Sequence, residues 1–228
     1  MREAYHEELA SISEGLVSMA NRVGSALGRA TSALLDTDLR LAESVISAHS
    51  KVEDLQRDLD DRAIAVLARQ QPVATDLRVV VTSLRMSADL ERCSVLAQHV
   101  AKLARLRYPV QAVPQDLRRT ILELSQLAQR LMAQAADVLV SHDLDAALQM
   151  EQGDDRIDEL HRSIFQHLMD ERWHQGVETA VDATLLGRYY ERFADHVVSV
   201  ARRVVFQVTG EQPEELAATA PTPRTQTA

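Results

Sequence analysis

Two acidic pairs lie in the second half of the chain, each with its members four residues apart. Glu191 and Asp195 form one pair, and Asp154 and Asp158 form the other. On a helix this spacing places both carboxylates on one face, where they should repel each other. A bound cation relieves that repulsion, and carboxylate oxygens suit Mg, Mn or Fe, and less clearly Zn. If the two helices are neighbours, the four carboxylates predict one metal site.

The first half of the chain carries an incomplete copy of these residues, 100 to 105 positions earlier. Glu91 is followed four residues later by Val95, which has no ligand atom. His49 and Glu53 complete the set and can still bind a metal. If the acidic pairs bind metal, we therefore expect one metal site per chain, in the second half, and a first-half site that is weaker or absent.

Each acidic pair also has a simpler explanation, which is ion pairing on a solvated helix face. Arg162 follows Asp158 by four residues, and Arg188 precedes Glu191 by three. Both spacings favour ion pairs within a helix. The residues alone leave both interpretations open, although two pairs at equivalent places in a repeat favour the metal.

The elements that carry these residues should all be helices. Apolar residues recur at three- and four-residue spacing along almost the whole chain, which predicts long amphipathic helices. Only 7 glycines, 6 prolines and 4% aromatic residues occur among the 228, and this composition favours helices over sheets. We predict six helices, with the fourth beginning at Pro114, the fifth reaching Trp173, and the sixth ending at Thr209 with Gly210 as its C-cap.

A weak internal repeat predicts how the six helices are grouped. Residues 37–39 align with residues 142–144 at an offset of 105, and the third and sixth helices align at an offset of 100. We predict an all-α fold made of two antiparallel three-helix bundles, residues 1–108 and residues 109–210. Residues 211–228 are polar and rich in Pro, Thr and Ala, which predicts a disordered tail.

Charge and hydropathy exclude several classes of function. The formal net charge of −9 argues against nonspecific nucleic-acid binding, which needs a basic face. No stretch approaches 18 uninterrupted apolar residues, and charged residues interrupt any apolar run at the N-terminus, so we expect neither a membrane span nor a signal peptide. The single cysteine, Cys93, cannot form an internal disulfide, and a reducing cytoplasm is the expected location.

Four segments of the chain together resemble the PhoU family. The members of this family are regulators of phosphate uptake associated with the phosphate-specific transport system. The resemblance covers about residues 5 to 210. It rests on Gln71-Pro72-Val73-Ala74-Thr75-Asp76-Leu77-Arg78, Asp89-Leu90-Glu91-Arg92, Asp154-Asp155-Arg156-Ile157-Asp158, and Glu191-Arg192-Phe193-Ala194-Asp195-His196.

The resemblance implies a noncatalytic signalling adaptor in the cytoplasm, often a homodimer. Such an adaptor links the ATPase of the phosphate ABC transporter to a two-component sensor histidine kinase. When phosphate is plentiful, it holds down phosphate uptake and the phosphate-starvation response. Any membrane association would be peripheral and would pass through these partners.

The resemblance also bears on the metal. Some family members bind iron, Zn, Mn or Mg at paired acidic motifs, and in this chain that pattern is intact at Asp154, Asp158, Glu191 and Asp195. In the first half, Glu91 is kept, whereas Val95 replaces the expected aspartate.

Two other classes of function compete with the adaptor. One is a carboxylate-bridged metal-binding helical protein with an oxidase or metal-storage role, which would need buried ligands. The other is a plain spectrin-like helical spacer, which predicts neither a metal nor an effect on phosphate metabolism.

Overall fold

The chain forms six α-helices in the computed structural model, and no strand occurs within residues 2–211. The structure describes these residues, apart from the side chains of residues 2–4, 6 and 151–154. The tail predicted to be disordered, residues 211–228, lies outside the described residues except for its first residue. The helices are α1 (Arg2–Asp36), α2 (Leu39–Gln70), α3 (Ala74–Arg107), α4 (Arg118–Ser141), α5 (Leu144–Leu168) and α6 (Gly176–Thr209).

The helix termini show the repeat in their capping residues. Asp38 and Asp143, 105 residues apart, each accept a hydrogen bond from the backbone N–H three residues on, at 2.9 and 3.1 Å, and so cap α2 and α5. The residues before them, Thr37 and His142, both have positive φ angles, of 56° and 55°. Gly210 ends α6 with a φ of 81°, which confirms the predicted C-cap.

Two predicted helix boundaries are wrong. α4 begins at Arg118 rather than at Pro114, because Pro114 opens a separate turn in which its carbonyl accepts from the backbone N–H groups of Leu117 and Arg118. α5 ends at Leu168 rather than near Trp173, since residues 169–175 form turns. As a result α4 and α5 have 24 and 25 residues, and both are shorter than α1, α3 and α6.

The helices pack as the two predicted three-helix bundles. α1, α2 and α3 pack against one another, and so do α4, α5 and α6. The bundles meet side by side, with α1 against α4 and α3 against α6. α2 and α5 therefore lie on the outer sides of a central layer made of α1, α3, α4 and α6.

α3 and α6 run antiparallel and cross near their centres. The thiol of Cys93 lies 3.6 Å from the carbonyl oxygen of Phe193, and both residues are fully buried. Towards one end Arg107 forms a two-point ion pair with the buried carboxylate of Asp182. At the opposite end, Thr82 donates to Gln207 at 3.1 Å. The two ends carry equivalent positions of the repeat, so the bundles are related by an approximate two-fold rotation.

A buried polar network joins three helices of this central layer. The hydroxyl of Thr31 on α1 lies 2.7 Å from that of Tyr190 on α6, and it accepts from Ser125 on α4 at 2.8 Å. All three side chains are at most 2% exposed. Because the rest of the layer is largely aliphatic, these hydrogen bonds fix how the two bundles are docked.

None of the helices in the described part of the chain is long and apolar enough to cross a membrane.

Candidate metal centre

In the first bundle, three candidate ligands from α2 and α3 converge. His49 and Glu53 are one turn apart on α2, and Glu91 projects from α3. The Nε2 atom of His49 lies 3.7 Å from Oε1 of Glu53 and 3.9 Å from Oε1 of Glu91. One ligand atom from each residue falls within 4.8 Å of the others. One imidazole nitrogen and two carboxylates at this spacing form a candidate divalent-cation site.

Ser94 fixes the orientation of the histidine in this group. Its hydroxyl oxygen lies 2.9 Å from Nδ1 of His49, and Ser94 itself is 3% exposed. When Nδ1 donates this hydrogen bond, the lone pair of Nε2 faces the two carboxylates, and that is the tautomer able to bind a cation. Ser94 therefore supports the site without offering a ligand to it.

Val95 leaves the first-bundle set one ligand short. The side chains that remain differ in exposure: His49 is 11% exposed, Glu91 18% and Glu53 50%. These are the residues for which we expected the weaker site, and the fold brings all three of them together. That this set binds metal less tightly than the second-bundle set stays a prediction.

In the second bundle, Glu191 lies at the centre of the described candidate ligands. Burial raises the pKa of its carboxyl, the negative charge of Asp195 raises it further, Arg188 lowers it, and Asp158 adds a smaller upward shift. The charges of Asp158 on α5 and Asp195 on α6 therefore both act on Glu191, and joint binding of a metal by these carboxylates stays a prediction. The fourth predicted ligand, Asp154, has a side chain outside the described residues.

The two oxygens of Glu191 have different surroundings. Oε1 accepts from Arg188, three residues earlier on α6, which is the ion pair expected from the sequence. Oε2 is buried and has no hydrogen-bond partner among the described residues. A buried carboxylate oxygen without a partner is costly, and a cation beside it removes that cost. The described carboxylate oxygens therefore fit a metal ion at this position.

The second ion pair expected from the sequence does not form. Arg162 donates to the backbone carbonyl of Asp158, at 3.2 Å, rather than to its carboxylate. No described residue pairs with the Asp158 carboxylate, which agrees with a role in binding a cation.

Two residues near these sites were not predicted as part of them. The sequence carries no signal that Ser94 would face His49. His161, on α5 one turn beyond Asp158, packs against Gly187 and has a buried Nε2 without a partner in the described part of the molecule. Neither contact follows from sequence spacing, because each joins two different helices.

Comparison with protein families gives a match over most of the chain. The model described as "PhoU domain" matches twice, at residues 16–104 and 121–204. The two matched segments correspond to the two bundles and contain both sets of candidate ligands.

Mycobacterial proteins are similar over nearly the whole length. The phosphate-specific transport system accessory protein PhoU homolog 2 of Mycobacterium tuberculosis is 49% identical over 213 residues, which is 93% of this chain and 100% of that protein. The corresponding homolog 1 of Mycobacterium leprae is 48% identical, over 94% of this chain and 97% of its own length.

Solved structures share the fold. The crystal structure of PhoU from Pseudomonas aeruginosa superposes with a TM-score of 0.83 at 25% identity, over 91% of this chain and 100% of that one. The phosphate transport system regulatory protein PhoU from Streptococcus pneumoniae gives a TM-score of 0.81 at 22% identity, over 91% and 98% of the two chains, and this likeness concerns the fold alone.

Proposed function

The chain belongs to the PhoU family, and from this premise we propose that it negatively regulates phosphate uptake and the phosphate-starvation response. The family is one of accessory regulatory proteins of phosphate transport, so the chain is not an enzyme. The observation that carries the proposal is the near full-length similarity to proteins named as accessory to the phosphate-specific transport system.

The proposed mechanism is that of an adaptor with two partners in the cytoplasm. It binds the ATPase of the phosphate ABC transporter and a two-component sensor histidine kinase, and it acts by binding one conformational state of a partner more tightly than another. Six long helices in a rigid double bundle offer extended surfaces for such contacts. We propose a homodimer as the working form, which gives each partner two equivalent surfaces.

We further propose that a metal ion is held between α5 and α6 by Asp154, Asp158, Glu191 and Asp195. The unpartnered Oε2 of Glu191 and its acidic neighbours support this assignment. An ion of Fe, Zn, Mn or Mg would neutralise these carboxylates and tie α5 to α6. His49, Glu53 and Glu91 would form a weaker site between α2 and α3.

Metal analysis of protein purified without chelator tests the asymmetry between the bundles. At a metal concentration too low to load the weaker first-bundle site, Asp195→Ala should lose the bound metal, and Glu91→Ala should retain the wild-type content. Loss of metal on Glu91→Ala would overturn the asymmetric assignment. Circular dichroism of both variants establishes that each remains folded.

A gene deletion tests the regulatory role. In a medium rich in phosphate, the deletion strain should take up more phosphate and express phosphate-starvation genes that the parent strain represses, and a plasmid copy should restore repression. Unchanged uptake and expression would contradict the proposal and favour a helical spacer.

A pull-down addresses the partners directly. The transporter ATPase and the sensor kinase should each be retained by the immobilised protein with bound metal. Loss of retention after chelation would show that the metal forms part of the contact. If neither is retained under either condition, the adaptor mechanism is wrong even where the deletion has an effect.

A further inference from the structure

A cleft on the first bundle differs in charge from most of this acidic protein. It lies between α1 and α2, has a volume of about 380 Å³, and reaches down to Ser94 on α3. Three cationic side chains line it, and among the described residues no Asp or Glu does. The polar and charged residues of the lining are Asn21, Arg22, Ser25, Arg29, His49, Lys51 and Ser94.

The packing of α1 on α2 brings the three cations together. The two helices are antiparallel, because Arg29 donates to Ser44 at 2.7 Å while Arg62, further along α2, donates to Ser11, further back on α1, also at 2.7 Å. The same register places Arg22 opposite Lys51. Arg22 and Arg29 lie two turns apart on one face of α1, separated by about 10 Å along its axis.

These cations are not neutralised by the protein. In the described part of the chain, no carboxylate lies within ion-pair distance of any of the three, and all three are exposed. The arginines of the second half of α2 behave differently, since each pairs with a carboxylate: Arg57 with Asp54, Arg62 with Asp58, and Arg69 with Glu8. On a chain with a net charge of −9, three such cations around one cleft make it a candidate site for an anion.

The repeat supplies an internal comparison. At the offset of 105, Arg22 and Arg29 correspond to Leu127 and Gln134, so α4 has no cation at either position. Lys51 corresponds to Arg156, which forms ion pairs with Glu123 and Glu159 at 2.9 and 3.0 Å. The cationic cleft is therefore a property of the first bundle and not a consequence of the shared fold.

We propose that this cleft binds a small phosphate-bearing anion through Arg22, Arg29 and Lys51. Guanidinium groups bind phosphate oxygens through paired N–H donors, and an ammonium adds a point charge. The hydroxyl of Ser25 and the amide of Asn21 supply neutral donors beside them. The volume lies within the range of small-molecule sites, and the spacing of the cations accommodates either one phosphate or a chain of two or three.

Free inorganic phosphate and the phosphates of a nucleotide share this chemistry, and titration calorimetry with each separates them. The full-length protein is titrated with inorganic phosphate and with ATP. The buffer contains a chelator, so that no metal ion bound near His49 can bind the phosphate groups of the probe. Binding of inorganic phosphate assigns free phosphate as the ligand, and binding of ATP without inorganic phosphate assigns a nucleotide. Both results support the cleft, provided that the variants below behave as stated.

The combined variant Arg22→Gln and Lys51→Gln should bind the same probe at least about tenfold more weakly, since it loses two charge-assisted contacts. The matched control is Arg119→Gln with Arg130→Gln, which removes the same charge from exposed positions of α4. It should bind like the wild type. The proposal is overturned if neither probe binds at millimolar concentration, or if the control weakens binding as much as the cleft variant. Thermal melts of both variants exclude unfolding as the cause.

Discussion

At the scale of single residues, the two candidate metal sites differ in what surrounds the ligands. In the first bundle, Ser94 holds His49 with Nε2 towards two carboxylates. In the second bundle, Arg188 already occupies one oxygen of Glu191 and leaves the other buried without a partner. A metal ion bound by Glu191 must therefore compete with the Arg188 ion pair. In the described part of the first bundle, no Lys or Arg forms an ion pair with Glu91.

The variant Ser94→Ala tests the support given to His49. Without the hydrogen bond at Nδ1, neither the orientation of the imidazole ring nor its tautomer is fixed. The first-bundle site should therefore bind Mn²⁺ about tenfold more weakly. Calorimetry in an Asp195→Ala background isolates this site. Ser50→Ala, which removes an exposed hydroxyl of α2 that donates to the Ser47 carbonyl, is the control. Equal affinities in Ser94→Ala and the control would show that Ser94 does not position the ligand.

His161 predicts a dependence of stability on pH. Burial lowers the pKa of its imidazole below the ordinary 6.5, Arg188 lowers it further, and Asp158 opposes this weakly. Between the lowered folded-state pKa and 6.5, the unfolded chain binds more protons than the folded chain, so the free energy of unfolding should fall as pH drops through that window. Urea denaturation at a series of pH values should show a shallower fall for His161→Gln than for the wild type. The exposed His174→Gln should keep the wild-type slope, and a common slope for all three proteins would contradict the assignment.

At the scale of helices, polar contacts decide how the two bundles are docked. The aliphatic residues that α1, α3, α4 and α6 bury are mostly Leu, Val and Ala, which pack in many similar registers. The Thr31–Ser125–Tyr190 hydrogen bonds and the Arg107–Asp182 ion pair each require one register. A shift of α1 or α4 along α6 would break the hydrogen bonds, and a shift of α3 along α6 would break the ion pair. Either shift would leave buried polar groups without partners.

Tyr190→Phe measures this contribution. The change keeps the ring and removes one hydrogen bond to Thr31, so it should lower the free energy of unfolding by about 1 kcal/mol. Chemical denaturation followed by circular dichroism gives the value. Tyr189→Phe is the neighbouring control, because that hydroxyl has no hydrogen-bond partner within the described structure, and its effect should be smaller. A larger loss for Tyr189→Phe than for Tyr190→Phe would show that the network does not stabilise the docking.

At the scale of the whole molecule, the two bundles share so much surface that we expect them to fold as one unit. The α3–α6 contact is fully buried at Cys93 and Phe193, and α1 lies close to α4 at Gly24, where an added Cβ would meet the Met132 side chain at 3.2 Å. Separating the halves would expose these apolar faces to water, at a cost proportional to their area.

A fragment of residues 1–108 tests this expectation. It should associate with itself or lose cooperative unfolding, because the faces of α1 and α3 that contact the second bundle would be uncovered. Size-exclusion chromatography with light scattering and a thermal melt provide the readouts. A monomeric fragment that unfolds as cooperatively as the full chain would show that the first bundle is an independent domain.

Much of the architecture could be predicted because it depends on local periodicity. The six helices and the acidic pair at Glu191 and Asp195 follow from spacing along one helix, and the duplication follows from residues that recur at a nearly fixed offset along the chain. The start of α4 and the end of α5 could not be predicted as well. At those places the chain forms turns instead of extending a helix that its composition would allow.

The sequence by itself determined which residues share a helix face, and therefore which carboxylates lie one turn apart and where the repeat loses its fourth ligand, at Val95. Only the tertiary structure decided which faces meet. It placed Glu91 beside His49, Ser94 behind that imidazole, and Arg22 opposite Lys51 in a cleft that no described carboxylate lines. The physical reason is that helical spacing is fixed by backbone hydrogen bonds four residues apart. The register between helices is fixed instead by buried contacts between residues far apart in the chain.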